Sequence, residues 1–479
     1  MGVRLSGHFK LNKSQAELDF VDVPLNGDIP LFIDPHALGK REDVWSIEAS
    51  NLVVDFFQQA IAHIRQGEDN RAKAILSHLG EPNETGLGLS KKGRRGRGVA
   101  GQQSLNLFDY LKDSTAARTG FLRDLEDCEL LVPGISNDKI SDITTNIVRE
   151  KLVEYTINQC DLLGIPTRLV PAGRFWDTHH HDWSEDEYQS LPVHQGRRLL
   201  FVPKAIARYR MAYDYQEYYN NYVLTYLQAY HLDSRTSLVE LLRNGKRRVT
   251  KKSLKEIHPL SKEYLYQFSK ENPAIFEQYK NETRDLRELD DATVQASTGG
   301  STENGDGLVE KLKRIPAGAQ HADAYHECVI GLLEALFYPS LIYPKKEQSL
   351  HDGRKRIDIT YSNAAKSGFF SWLHSIKKIP CPFIMVECKN YSADPENPEL
   401  DQLAGRFSVQ RGQFGLLVCR TCADRKLFQK RCRDTAVDGR GYILMLTDKD
   451  IEDLLNMRAA RQDDRVREWL DNEFRTLVF

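Results

Sequence analysis

Along the first 284 residues, short apolar runs that stop at proline alternate with longer amphipathic stretches. IPLFIDP (29–35) and RRLLFVP (197–203) predict buried strands, because a brief continuous apolar run ended by proline suits a strand covered on both faces. Apolar residues at three- and four-residue spacing predict helices over Val53–Arg65 and Thr144–Leu163. Tyr215, Tyr218, Tyr219, Tyr222, Tyr226 and Tyr230 also recur at helical spacing, so most share a face. Such a stripe packs a helix against its neighbours, and it also offers rings on which bases stack.

The pattern lapses from Asp285 to Asp306, where ATVQASTGGSTENGDG holds almost no apolar residue. A segment of this composition buries too little surface to order itself, which predicts a flexible linker over 285–314. It divides a larger mixed α+β region, 1–284, with a regulatory, sensing or oligomerising role, from a domain over 315–479. A second polar stretch, GLGLSKKGRRGRGVAGQQ (86–103), carries Lys91, Lys92, Arg94, Arg95 and Arg97 among glycines. Two readings stand side by side: a loop that tracks a nucleic-acid backbone, and a solvated loop with no ligand.

Beyond the linker the order of elements is legible. Ala322–Tyr338 reads as an amphipathic helix, followed by extended LIYP, then strands RIDITY (356–361) and PFIMVECKN (382–390). A helix over Asn397–Gln410, strand FGLLVCRT, helix Arg425–Val437, strand GYILMLT and a last helical region complete it. Apolar strands interleaved with helices predict an α/β domain with helices on both faces of a sheet.

Two strands carry charges where apolar residues are expected. Alternation in PFIMVECKN puts Glu387 and Lys389 on one face and Cys388 on the other. Burying unpaired charges costs several kcal/mol, so these side chains demand a partner. Asp358, flanked by isoleucines, supplies a further carboxylate. If the two strands are neighbours, Asp358 and Glu387 are oxygen ligands for Mg²⁺ (or Mn²⁺), with Lys389 beside the attacking water. A divalent ion, two carboxylates and a lysine suffice for phosphodiester hydrolysis.

This succession of acidic helix, IDI, VECKN and a helix with Gln402 resembles the PD-(D/E)XK nuclease superfamily. The resemblance covers the C-terminal third. It implies a restriction-endonuclease-like three-layer α/β/α fold, with the signature aspartate at Asp358 and the paired acid and lysine at Glu387 and Lys389. It also implies a helical acid, at Glu327, as a further metal ligand, although Glu334 lies on nearly the same face. Gln402 matches a glutamine that many members carry, and Arg406, one helical turn on, is expected to reach a phosphate. The later strand, helix and strand, running into LTDKDIEDLL, are similar to the Mrr-like branch, which cleaves DNA. Two departures stand out: Ile357 replaces the proline, and SGFFSWLHSIKKIPCP lengthens the gap before Glu387. This insertion either touches substrate through Trp372, Lys377 and Lys378 or packs.

Composition adds limits. With 479 residues, 41% hydrophobic and 28% charged, the chain suits two or three globular domains, and its net charge of -2 confines any nucleic-acid surface to a local patch. It has no apolar run long enough to cross a membrane and no secretory h-region, so a cytoplasmic protein is expected. Eight scattered cysteines fit a reducing compartment; Cys419, Cys422 and Cys432 form an incomplete zinc set. His179, His180 and His181 lie in a polar stretch that suits a loop, and Asp34 suits a turn or a helix cap. No P-loop spacing is present. The expected function is a metal-dependent DNA endonuclease that works as a homo-oligomer, with defence against foreign DNA implied by likeness to Shedu-type effectors. The alternatives are a catalytically silent nucleic-acid or protein-binding module and an RNA-directed nuclease.

Overall fold

A computed structural model describes residues 3–88, 100–283, 288, 289, 294, 305–346 and 359–479, with the backbone alone at 100–105, 305 and 306. Asp358 and the cations Lys91, Lys92, Arg94, Arg95 and Arg97 lie outside the described residues.

The N-terminal region is mostly helical. Its longest helix, Val44–Gln66, starts where the Asp43 side chain accepts from Ser46 N and ends at Gly67, whose φ of 74° suits glycine. The amphipathic stretch ending at Leu163 is two helices, Asn137–Ile147 and Arg149–Leu163, which meet at Val148. RRLLFVP is not the predicted strand. Only Arg197–Arg198 pairs in a ladder, with Val193–His194, while Leu199–Val202 is buried against irregular chain. Val202 O accepts from Val21 N at 2.9 Å there, so its backbone is satisfied without a sheet. Within IPLFIDP, Phe32–Ile33 pairs antiparallel with Ala207–Arg208. The tyrosine stripe packs: Tyr218 and Tyr219 are buried, and the Tyr218 ring lies 5.0 Å from that of Tyr279.

The C-terminal region is mixed α/β. Five strands, β1 (Leu341–Lys346), β2 (Ile359–Asn363), β3 (Phe383–Lys389), β4 (Phe414–Cys419) and β5 (Tyr442–Thr447), form one sheet in that order. The first three run antiparallel, and β4 and β5 continue parallel to β3. Helices α1 (Gly305–Arg314) and α2 (Ala322–Phe337) precede the sheet. The two parallel crossovers are α3 (Asn397–Ala404) and α4 (Arg425–Val437), and α5 (Asp448–Ala459) and α6 (Asp463–Val478) end the chain. Helix α1 occupies part of the stretch predicted as linker. Leu308, Val309 and Leu312 bury one side of it, a signal diluted by the polar residues upstream.

The insertion before β3 packs. Gly368–Ser371 and the π turn Trp372–Ile376 bury Phe369, Phe370 and Leu373, and the Trp372 ring sits 5.6 Å from that of Phe474. Lys377 rests over the Trp372 ring at 5.1 Å.

Each region has its own apolar cluster, yet edge strand β1 is shared. Its Ile342 and Tyr343 belong to the N-terminal cluster, and Leu162 of the N-terminal region joins the other. Gln159 Nε2 donates to Pro344 O at 3.1 Å, and Lys311 pairs with Glu17 at 3.2 Å. Polar and apolar contacts therefore join the two regions directly.

Candidate active site

Antiparallel pairing of β2 with β3 sets Ile359 opposite Val386 and Thr360 opposite Met385. Alternation then sends Phe383, Met385, Glu387 and Lys389 to one face and Val386 and Cys388 to the other, as the side-chain spacing predicts. The described part of β2 begins at Ile359, the covalent neighbour of Asp358.

Glu387 is 1% exposed, yet it is fully engaged. Lys389 Nζ donates to its Oε1 at 2.7 Å and to Gln402 Oε1 at 3.1 Å. Arg406 Nη1 donates to Glu387 Oε2. One strand and one crossover thus assemble Glu387, Lys389, Gln402 and Arg406.

Local chemistry accounts for this placement. Helix α3 begins with a reciprocal capping box between Glu396 and Glu399, with proline in its first turn. Glu399 also accepts from Tyr391 Oη at 2.6 Å, and burial together with this carboxylate pushes the Tyr391 hydroxyl above its usual range. The helix predicted to Gln410 stops at Ala404, so Arg406 does not extend the face of Gln402. It lies beyond the helix, 2% exposed, with its guanidinium turned to Glu387. Its expected role at a phosphate gives way to one inside the protein, because a buried carboxylate needs a countercharge.

Glu327 also departs from expectation. Helix α2 turns Tyr325, Val329, Leu332 and Leu336 inward, and a residue two positions after Tyr325 points away from that face. Glu327 is exposed, with its carbonyl accepting from Lys13 Nζ at 3.0 Å, and no described contact joins it to Glu387. Glu334, two turns on, is buried, 1% exposed, near the Tyr361 and Tyr155 side chains. The sheet is met instead by His326, whose Nε2 lies 3.3 Å from Cys388 O.

The end of β3 is anchored by residues that periodicity did not single out. Asn390 Nδ2 donates to Gly318 O at 2.9 Å, and Arg420 Nε donates to Asn390 Oδ1 at 2.7 Å. Arg420 also pairs with Asp448 at 3.0 Å and lies over the Tyr325 ring at 4.4 Å. The available signal was a guanidinium closing the apolar run FGLLVC, directly after the strand.

Two adjoining clefts, of about 480 and 230 Å³, open between the N-terminal region and the Glu387 face of the sheet. Ser362 and Phe383 line both from the sheet, and Val44 lines both from helix Val44–Gln66.

The other candidates stand apart. Cys419 and Cys432 are buried and Cys422 half-buried; burial pushes the Cys432 thiol up to about 12 and the Cys422 thiol up to about 11. His180 pairs with Asp177 at 2.6 Å and His181 with Asp55 at 3.2 Å. Among the described residues, no group of three or more His, Cys, Asp or Glu is arranged to hold a metal ion. Asp34 caps a helix: its carboxylate accepts from His36 N and Ala212 N, each at 3.0 Å. No helix among the described residues is long and apolar enough to cross a membrane.

No curated protein and no solved structure matched the chain. Residues 10–214 match the profile of a family described only as a domain of unknown function (DUF8370), a span within the N-terminal region that stops short of the Glu387 site.

Proposed function

We propose that the chain is a metal-dependent DNA endonuclease whose active site is built on β3. The observation that carries this reading is the placement of Glu387 and Lys389 on one face of a central strand, with Gln402 delivered to Lys389 by the next helix. The strand order, with an antiparallel β1–β2–β3 followed by parallel β4 after a helical crossover, supports a restriction-endonuclease-like core. Register supports it too, since Asp358 is bonded to the residue that pairs with the neighbour of Glu387.

The donor chemistry fits Mg²⁺ or Mn²⁺, because carboxylate oxygens are the ligands these hard ions take. Glu387 and Asp358 are the residues to hold such an ion, which supplies polarisation of a phosphoryl oxygen and a lower pKa for water. Lys389 brings an ammonium to the same face, where it orients the attacking water and steadies charge developing on phosphorus. Gln402 holds that ammonium in place, and Arg406 balances the charge of Glu387.

DNA is the proposed partner, with the basic stretch from Lys91 to Arg97 adding phosphate contacts. Two copies of the chain best serve cleavage of both strands, through active sites related by a two-fold axis. The proposed role is defence against foreign DNA.

A second reading rests on the same ions. Glu387, Lys389 and Arg406 satisfy one another, as they do in a structural ion cluster that joins β3 to the α3 crossover without chemistry. In that case the domain binds nucleic acid or protein and cleaves nothing. Purified full-length protein incubated with plasmid DNA and with RNA, with Mg²⁺ or with EDTA, separates the readings. Mg²⁺-dependent nicking of DNA is the expected result; RNA cleavage alone corrects the substrate, and no cleavage of either favours the silent module.

A further inference from the structure

A carboxylate has two oxygens, and the way those of Glu387 are shared has consequences for any cation that approaches. Arg406 holds Oε2 from a position that is 2% exposed, inside the protein. Lys389 holds Oε1 from the more open side, with its side chain 19% exposed, and keeps a second acceptor in Gln402. The two cations therefore differ in how easily they let go. Releasing Arg406 takes a buried guanidinium away from the carboxylate it pairs with, whereas Lys389 gives up one of two hydrogen bonds and turns toward water and Gln402.

We propose that Arg406 is a positioning residue that fixes one oxygen of Glu387, leaving Oε1 as the atom for which Lys389 and a divalent cation compete. The inference rests on the nuclease reading and adds a residue to it. Glu387 then binds the ion through one oxygen. Gln402 is the acceptor that retains the Lys389 ammonium at the site once Oε1 is taken. The lysine stays near the reacting phosphate in both arrangements.

Competition for one atom is a coupling, and coupling is reciprocal: whatever removes the lysine strengthens the ion. Orientation acts in the opposite sense. A carboxylate without Arg406 has to be ordered by the ion, at the cost of the freedom given up.

The test is direct Mn²⁺ binding to the full chain, by calorimetry and by the paramagnetic resonance of free Mn²⁺, without substrate. Lys389→Met should tighten Mn²⁺ by roughly fivefold or more. Arg406→Lys, which keeps the charge and loses the planar fork, should weaken it by roughly threefold or more, with circular dichroism and thermal melting confirming the fold. If the wild type binds Mn²⁺ but Lys389→Met binds it equally or more weakly, the shared-oxygen inference is overturned and the metal reading stands. If the wild type binds no Mn²⁺, both fall together.

Discussion

The Tyr343 amide donates to Asp19 Oδ1 at 3.2 Å across the junction of the two regions, while the other oxygen of Asp19 accepts from Tyr155 Oη at 2.7 Å. Tyr343 lies on edge strand β1 at a φ of 54°, a conformation that costs a bulky residue of order 1–3 kcal/mol and persists only where the surroundings enforce it. The Tyr343 ring, 5.1 Å from Trp45 and 5.8 Å from Tyr155, shows what enforces it. Removing the acceptor should therefore loosen both regions at once. Asp19→Ala is expected to lower the unfolding free energy by about 2–4 kcal/mol, since it leaves two buried donors unsatisfied. Urea unfolding followed by tryptophan fluorescence and by circular dichroism checks this, and a change below about 0.5 kcal/mol contradicts it.

A pH dependence follows from Glu84. Burial pushes its carboxyl up, and the Arg149 and Arg198 guanidiniums overcome this and bring it down to about 2. A carboxyl depressed in the folded state stabilises it above the unfolded value near 4.5 and loses that contribution as pH falls toward 2. Glu84→Gln should cost about 2–3 kcal/mol at pH 7 and progressively less between pH 4.5 and 2. Denaturant melts of both proteins across that window test it, and a pH-independent difference contradicts the assignment.

The basic stretch gives a salt dependence. Replacing Lys91, Lys92, Arg94, Arg95 and Arg97 together by Ser should weaken DNA binding and flatten its dependence on salt. Each phosphate that is no longer neutralised takes about 0.9 from the log-log slope on duplex DNA. Fluorescence anisotropy from low to high salt measures that slope, and an unchanged value returns these cations to solvent.

Much of the C-terminal architecture was legible because its strands are apolar runs bounded by clear breaks. PFIMVECKN, FGLLVCRT, GYILMLT and the described end of RIDITY, from Ile359, each correspond to a strand, and alternation alone put Glu387 and Lys389 on one face. What escaped depended on contacts distant in sequence. Arg406 looked like a surface cation while it was counted on a helix that ends at Ala404, and only the buried charge of Glu387 explains why it turns inward. Glu327 came from the resemblance, and helical period alone neither separates it from Glu334 nor says which side of α2 meets the sheet; Tyr325 and Val329 decide that. Leu199–Val202 looked like a strand because burial and apolar character are common to strands and to irregular chain whose backbone finds partners elsewhere. Helix α1 was hidden by averaging its two leucines and one valine with a polar neighbourhood.

The central claim is that Glu387, Lys389 and Asp358 perform phosphodiester hydrolysis, and supercoiled-plasmid cleavage by single substitutions tests it most directly. Lys389→Ala and Asp358→Ala, each purified as the full chain and shown by circular dichroism to be folded, are assayed beside the wild type in Mg²⁺. Both residues act chiefly in the transition state, so each substitution should reduce the cleavage rate by roughly a hundredfold or more with DNA affinity little changed. Cleavage by either folded variant at the wild-type rate contradicts the account.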